Sequence, residues 1–207
     1  MNIIDELEWR DAINQQTDED GLRELVGKES IALYCGIDPT GDSMHIGHLI
    51  PFMILKRFQL AGHQPVVLIG GGTGSIGDPS GRTSERQLQS MEQVQENANK
   101  LSAQMRRSFD AGEEDSGIRL YNNMDWLDGM KFLDFLREFG KEFNINTMLA
   151  KDVVSSRLDT GISFTEFSYQ IIQSIDFLHL FKEENVQLQV GGSDQWGNIT
   201  AGLDLIR

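Results

Sequence analysis

A single cysteine, Cys35, stands in the chain. No disulfide can form within it, and a thiolate metal site is disfavoured. No apolar run is long enough to span a bilayer. The start, Met1-Asn2-Ile3-Ile4-Asp5-Glu6, lacks the basic region and small-residue cleavage pattern of a signal peptide, so the cytoplasm is the expected compartment. Basic residues are scarce: 18 Lys and Arg face 32 Asp and Glu, a net charge of −14. Such a chain is a poor general nucleic-acid binder, because contacts to backbone phosphates need Lys and Arg. Internal repeats and low-complexity segments are also missing. The 207 residues suffice for one domain with a substantial core.

What is present reads as alternating helix and strand. Asn2 caps a first helix, Ile3 to about Ala12. Thr17 and the acidic residues after it start a second, which ends near Gly27. Ile31–Gly36 is a short buried strand. The strongly apolar segment Leu49 to Leu60 is a buried helix, with Pro51 in its first turn, where a missing N–H costs least. Val66–Ile69 is a strand without alternation, as in strands covered on both faces. This is a right-handed βαβ unit, and the fold class is α/β, a parallel sheet with helices on both faces. An amphipathic helix over 90–109, an exposed acidic loop over 110–117 and a strand over 118–122 follow. Helices at Met130–Phe139 and Ile145–Lys151 form a connecting insertion, roughly 125–162. Ser163-Phe164-Thr165-Glu166 is a capping box, and Phe164, Phe167, Ile171, Ile175 and Leu178 form the packed side of its helix. Val186–Val190 is a further strand, followed by a helix. The last residues, Leu205-Ile206-Arg207, fall within an apolar helical pattern, so the chain is expected to be a fragment.

Three strand-to-helix turns carry the chemistry. In the first, Tyr34 to His48, an apolar strand gives way to turn-formers, and His45 and His48 lie at a helix N-terminus. Free N–H groups and the positive helix end attract anions there, and the imidazoles add donors. A cap plus a surface histidine is the plainer alternative. A metal-ligand pair is weaker still, since no third ligand has helical spacing with them. In the second turn, Gly70 to Arg82, glycines follow directly on a buried strand. A flexible linker is the alternative, but ligands of open α/β sheets bind in this crevice. Asp78, Arg82 and Arg86 supply charge at its edge, and the Lys-Ser/Thr ending of a P-loop is missing. The third, Gly191 to Asn198, again sets glycine and polar groups at a helix start. Between the second and third lies the stripe Thr165, Tyr169, Gln173 and Asp176. A solvent face is the alternative there, yet the stripe has no Lys or Arg and looks like a pocket wall.

His45-Ile46-Gly47-His48 matches the HIGH signature of class I aminoacyl-tRNA synthetases. The longer string Tyr34–His48, with Gly70–Arg86, Tyr169–Asp176 and Gly191–Asn198, resembles the bacterial tyrosyl-tRNA synthetases over essentially the whole chain. Met44 stands where that family more often has leucine. The resemblance implies a Rossmann-like (HUP-type) nucleotide-binding fold. It implies attack of the tyrosine carboxylate on the α-phosphorus of ATP, giving tyrosyl-adenylate and pyrophosphate, then transfer to the 3′ end of tRNA(Tyr). By match to the family, Thr40, His45 and His48 would contact the ATP phosphates. Arg82 and Arg86 would hold the pyrophosphate with Mg2+. Cys35, Gly36, Asp38, Gly47, Gly192 and Asp194 would hold ATP and the adenylate. Asp78, Tyr169 and Gln173 would bind the tyrosine ammonium, Gln195 would sit near its carboxylate, and Tyr34 and Asp176 would face its phenol. The family's second signature, KMSKS, and its RNA-binding tail do not occur in these residues, so the chain is expected to bind tyrosine but activate it poorly, with most tRNA contact made elsewhere. A homodimer formed through the insertion is implied. The alternatives are an HxGH-type nucleotidylyltransferase and a non-catalytic ligand-binding module.

Overall fold

The structure, a computed structural model, describes residues 2–80, 87–109, 117–159 and 161–207. In chain order it contains α1 (Ile3–Trp9), α2 (Glu19–Lys28), β1 (Ala32–Ile37), α3 (Ile46–Leu60), β2 (Gln64–Ile69), α4 (Met91–Phe109), β3 (Arg119–Asn122), α5 (Met124–Leu127), α6 (Phe132–Glu138), α7 (Ile145–Leu149), α8 (Asp152–Ser155), α9 (Phe164–Glu184), β4 (Val186–Gln189) and α10 (Trp196–Ile206). The strands are parallel, in the spatial order β3-β2-β1-β4. Both faces are apolar. Leu33, Cys35, Ile37, Val67 and Ile69 point into a core shared with α1 to α4. Ala32, Tyr34, Val66 and Leu68 point the other way, onto Phe177 and Leu180 of α9. That is why β1 and β2 show no polar alternation, while β4, Val186-Gln187-Leu188-Gln189, alternates. The fold is α/β and Rossmann-like.

Strand order and crossover handedness together place the site. From β1 the chain steps through α3 to β2 and through α4 to β3, so right-handed crossovers put both helices on one face. It then returns past β1 to β4, which puts α9 on the opposite face. The direction of winding reverses between β1 and β4, and a crevice opens beyond the strand ends there. Pro65 is accommodated because β3 begins to pair with β2 only at Val66.

Several local expectations are corrected. α1 stops at Trp9, since the chain turns through a left-handed Asp11, φ 54°. Asp18 rather than Thr17 caps α2, accepting from the Gly21 N–H at 2.9 Å. α3 begins at Ile46, and only Phe52, Leu55 and Phe58 bury fully, while Ile46, Ile50 and Met53 face outward. An unbroken apolar run hides which face of a helix is covered. The capping box before α9 is half formed: Ser163 Oγ accepts from the Glu166 N–H at 3.2 Å, but the Glu166 carboxylate is buried against Arg157, 2.9 Å away. Phe164 is 68% exposed and Leu178 only half-buried, so of the anticipated side Ile171 and Ile175 bury fully with Phe167 packed on them, while Phe177 and Leu180 meet the sheet. The acidic loop anticipated at 110–117 lies almost wholly outside the described residues.

Candidate active site

The carboxyl ends of the strands open into a cavity of about 560 Å³. β1 and the turn after it contribute Tyr34, Cys35, Gly36, Asp38 and Thr40, and the start of α3 contributes His45, Gly47 and His48. The loop after β2 adds Asp78, α9 adds Tyr169, Gln173 and Asp176, and the turn after β4 adds Gly192, Asp194 and Gln195. These residues, drawn from five separate stretches, are thus brought together. Arg82 and Arg86 lie outside the described residues. Thr165, the first member of the α9 stripe, is exposed and does not line the cavity.

The helix start is built by the histidines themselves. His45 is the N-cap of α3: its Nδ1 accepts from the Gly47 N–H at 3.1 Å, and its own N–H donates to His48 Nδ1 at 3.3 Å. This is a capping box with imidazoles in place of hydroxyl and carboxylate. The rings stack with centroids 3.7 Å apart. Gly47 fits closely under this packing: a Cβ there would meet the His45 ring at 3.0 Å, and the ring would have to shift by a few tenths of an ångström.

Carboxylates dominate the rest. Asp38 accepts from Thr73 Oγ1 at 2.7 Å and from the Tyr169 hydroxyl at 2.9 Å. Asp78 accepts from the Ser80 N–H at 2.9 Å and from Gln195 Nε2 at 2.7 Å. Asp176 accepts from Asn123 Nδ2 at 2.9 Å and from Trp126 Nε1 at 2.8 Å. Asn123 also donates to Thr73 Oγ1 at 3.0 Å, which ties the Asp176 and Asp38 groups into one network. Burial pushes Asp176 up to about 7, with the charge of Asp38 adding to the rise, while the bonds from Asn123 and Trp126 pull the other way. Burial, then the nearby carboxylates, also lift the Tyr34 and Tyr169 phenols well above the ordinary range. Burial raises the Cys35 thiol to about 12, which leaves it a neutral lining group.

Among the described residues no Lys or Arg lines the cavity. It therefore has a carboxylate pole suited to a cationic head and, at the histidine-capped start of α3, a donor pole suited to an anion. Three buried polar atoms on its wall have no hydrogen-bond partner among the described residues: Tyr34 Oη, Gln173 Oε1 and Gln189 Oε1. Orphans of this kind are rare in a finished core and common where a ligand completes the bonding. Thr73, Asn123, Trp126 and Gln189 were not anticipated from sequence. Asn123 and Gln189 carry a usable signal, polar side chains at the carboxyl ends of β3 and β4.

Gly70 is sterically bound to this network. A Cβ there would lie 2.1 Å from Asp38 Oδ1 and 2.4 Å from Thr73 Oγ1. Gly70→Ala is expected to break the Thr73–Asp38 bond and cost about 1–3 kcal/mol in urea unfolding. Gly129→Ala, with nothing within 4 Å of its Cβ, is the control. Equal stability of the two variants would contradict this packing argument.

A tyrosine–tRNA ligase of Latilactobacillus sakei is 72% identical over 205 residues, 99% of this chain and 48% of the relative. Tyrosine–tRNA ligase 2 of Bacillus cereus is 70% identical, covering 100% of this chain and 49% of the relative. The chain thus spans about half the length of the curated relatives it matches. A C-terminally truncated mitochondrial tyrosyl-tRNA synthetase of Aspergillus nidulans superposes with a TM-score of 0.90 at 33% identity, covering 99% of this chain and 61% of that one. Residues 27–207, from the end of α2 through every strand of the site, match the family described as tRNA synthetases class I (W and Y), and the chain belongs to that family.

Proposed function

We propose that this chain is the tyrosine- and ATP-binding part of a tyrosine–tRNA ligase. The observation that carries this reading is the pairing of two polar groups in an apolar setting. The Tyr34 hydroxyl is buried and without a hydrogen-bond partner among the described residues, and it lines the same cavity as the buried carboxylate of Asp176, which adds to the rise of the phenol's pKa. A substrate phenol completes both, donating to Asp176 and accepting from Tyr34. Phenylalanine would leave them unmet. A site built to hydrogen-bond a substrate hydroxyl rejects the analogue that lacks it, because its buried polar groups are then left unpaired.

In this reading Asp78, Tyr169 and Gln173 hold the tyrosine ammonium, and Gln195 lies near the carboxylate. The carboxylate oxygen bonds to the α-phosphorus, the bond from that phosphorus to the bridging oxygen breaks, and pyrophosphate leaves. No protein base is needed, because the attacking carboxylate is already ionised. Catalysis comes from alignment and from stabilising charge on the phosphate, the work assigned to Thr40, His45 and His48, with Arg82 and Arg86 on the pyrophosphate. Cys35, Gly36, Asp38, Gly47, Gly192 and Asp194 border the nucleotide. Among the described residues no group of three His, Cys, Asp or Glu could hold a metal ion. Mg2+ would arrive on the triphosphate of the incoming ATP and offset its charge. Transfer to tRNA(Tyr) completes the reaction, and the cytoplasm is the compartment this implies.

Calorimetric titration with tyrosine, phenylalanine and tryptophan tests the proposal. Tyrosine should bind and the other two far more weakly; equal affinities for all three would sink it. In a full-length version, ATP binding with no adenylate formed in the presence of tyrosine would favour the non-catalytic module.

The homodimer belongs to the same reading. Phe132 and Leu133 of α6, Ile145 of α7 and Phe164 of α9 are all exposed, and all lie in or beside the 125–162 insertion. A second copy covering them would explain the exposure. Leu133→Asp is expected to move the sedimentation mass from two chains to one with little change in melting temperature. A one-chain mass before substitution would refute the dimer.

A further inference from the structure

Asp176 is held by two donors that differ in how firmly they are themselves held. Asn123 is fully buried, and its side chain is also engaged by Thr73 Oγ1 and by the Gly72 N–H at 2.8 Å. Trp126 is only half-buried and sits on α5, a four-residue helix with no side-chain cap. Its indole N–H makes a single bond, to Asp176 Oδ1 at 2.8 Å. Rotation of the ring by a few tens of degrees would lose it.

The ring also packs against the core beneath α9, and one aromatic contact braces its plane. The His179 imidazole lies flat on the Trp126 indole, centroids 4.1 Å apart and planes within 18°. His179 and Asp176 are three residues apart on α9, so they share one face of the helix. The indole lies along that face, its N–H on one residue and its plane on the other.

We infer that His179 is a positioning residue for the phenol end of the pocket, holding the Trp126 N–H on Asp176 without touching the substrate. This rests on the tyrosine reading above. Asp176 with one donor lost is a poorer and less well-placed acceptor for the substrate hydroxyl. The effect must therefore appear with tyrosine and be missing with phenylalanine, which makes no bond to Asp176. Any aromatic ring that stacks on Trp126 should replace the imidazole.

The test is calorimetric titration of the parent chain, His179→Ala and His179→Phe with tyrosine and with phenylalanine. Alanine suits a helix interior, so folding is retained, and a melting curve checks this. His179→Ala should weaken tyrosine binding about fivefold, the scale of a lost aromatic stack, with phenylalanine binding unchanged. His179→Phe should restore tyrosine to within about twofold of the parent. Equal losses for both amino acids would mean a general structural role and overturn the inference, as would His179→Ala binding tyrosine like the parent. A parent that does not prefer tyrosine would overturn the tyrosine reading, and this inference with it.

Discussion

Asp176→Asn should weaken tyrosine binding by about 10- to 100-fold, the worth of one buried hydrogen bond to a charged group, and leave phenylalanine binding nearly unchanged. Asparagine keeps the size, so no cavity opens and the contacts to the rest of the amino acid survive, although its NH2 must face one of the two donors, Asn123 Nδ2 or Trp126 Nε1. What is lost is an anionic acceptor for the phenol. The selectivity ratio from paired titrations is the quantity to follow. If both amino acids weaken together, Asp176 is a packing residue and the tyrosine assignment loses its support.

The same carboxylate predicts a pH dependence with a definite sign. Burial raises Asp176 from an ordinary 3.8 to about 7 in the folded chain. An acid raised on folding favours the fold most below its unfolded value, and that contribution is lost as pH climbs through the folded value. The empty protein should therefore lose stability between about pH 4 and 7 from this group, and Asp176→Asn should remove that slope. Tyrosine binding runs the other way, because the phenol needs an ionised acceptor. Affinity for tyrosine should rise from pH 5 to 8 by up to about tenfold per unit below the midpoint, while phenylalanine shows no such rise. A flat tyrosine profile would place the titrating group elsewhere.

Much of this site was legible because it is built on turns. Tyr34–His48, Gly70–Asp78 and Gly191–Asn198 each announce themselves locally, as glycine and polar residues directly after a buried strand. The α9 stripe was legible for another reason: Tyr169, Gln173 and Asp176 share a face with no lysine or arginine, which a solvent face rarely lacks. The roles of Thr73, Asn123 and Trp126 were not legible, although Thr73 sits inside one of these turns and Asn123 is a polar residue at the carboxyl end of β3. Each acts by holding another residue, and their partners are 35 to 53 positions away in sequence. The sidedness of α3 and the exposure of Phe164 were hidden too. Apolarity marks a surface that will be covered without saying whether this chain or another covers it.

His45→Ala should slow adenylate formation about 100-fold, the usual effect of removing one preorganised donor to a developing charge, while tyrosine affinity stays within about twofold. The argument starts from tautomers. His45 Nδ1 accepts a backbone N–H, and so does His48 Nδ1. In neutral imidazoles this places the ring proton on Nε2, so the caps that start α3 also set both rings as donors. Neither cap contact involves the α9 residues assigned to tyrosine, and amino-acid binding should not register the change. His45→Ala alone is ambiguous, because it removes the N-cap of α3 together with the donor. His45→Asn separates the two. Asparagine is among the best N-caps and can accept from the Gly47 N–H, but its short amide cannot reach where Nε2 stands. Loss of rate in His45→Asn with an unchanged melting temperature assigns the effect to the Nε2 donor. Recovery of the parent rate would assign it to the helix start instead, leaving phosphate stabilisation to Thr40 and the backbone N–H groups of α3. Single-turnover formation of labelled tyrosyl-adenylate by the full-length protein, in excess over tyrosine, measures all three proteins on one scale.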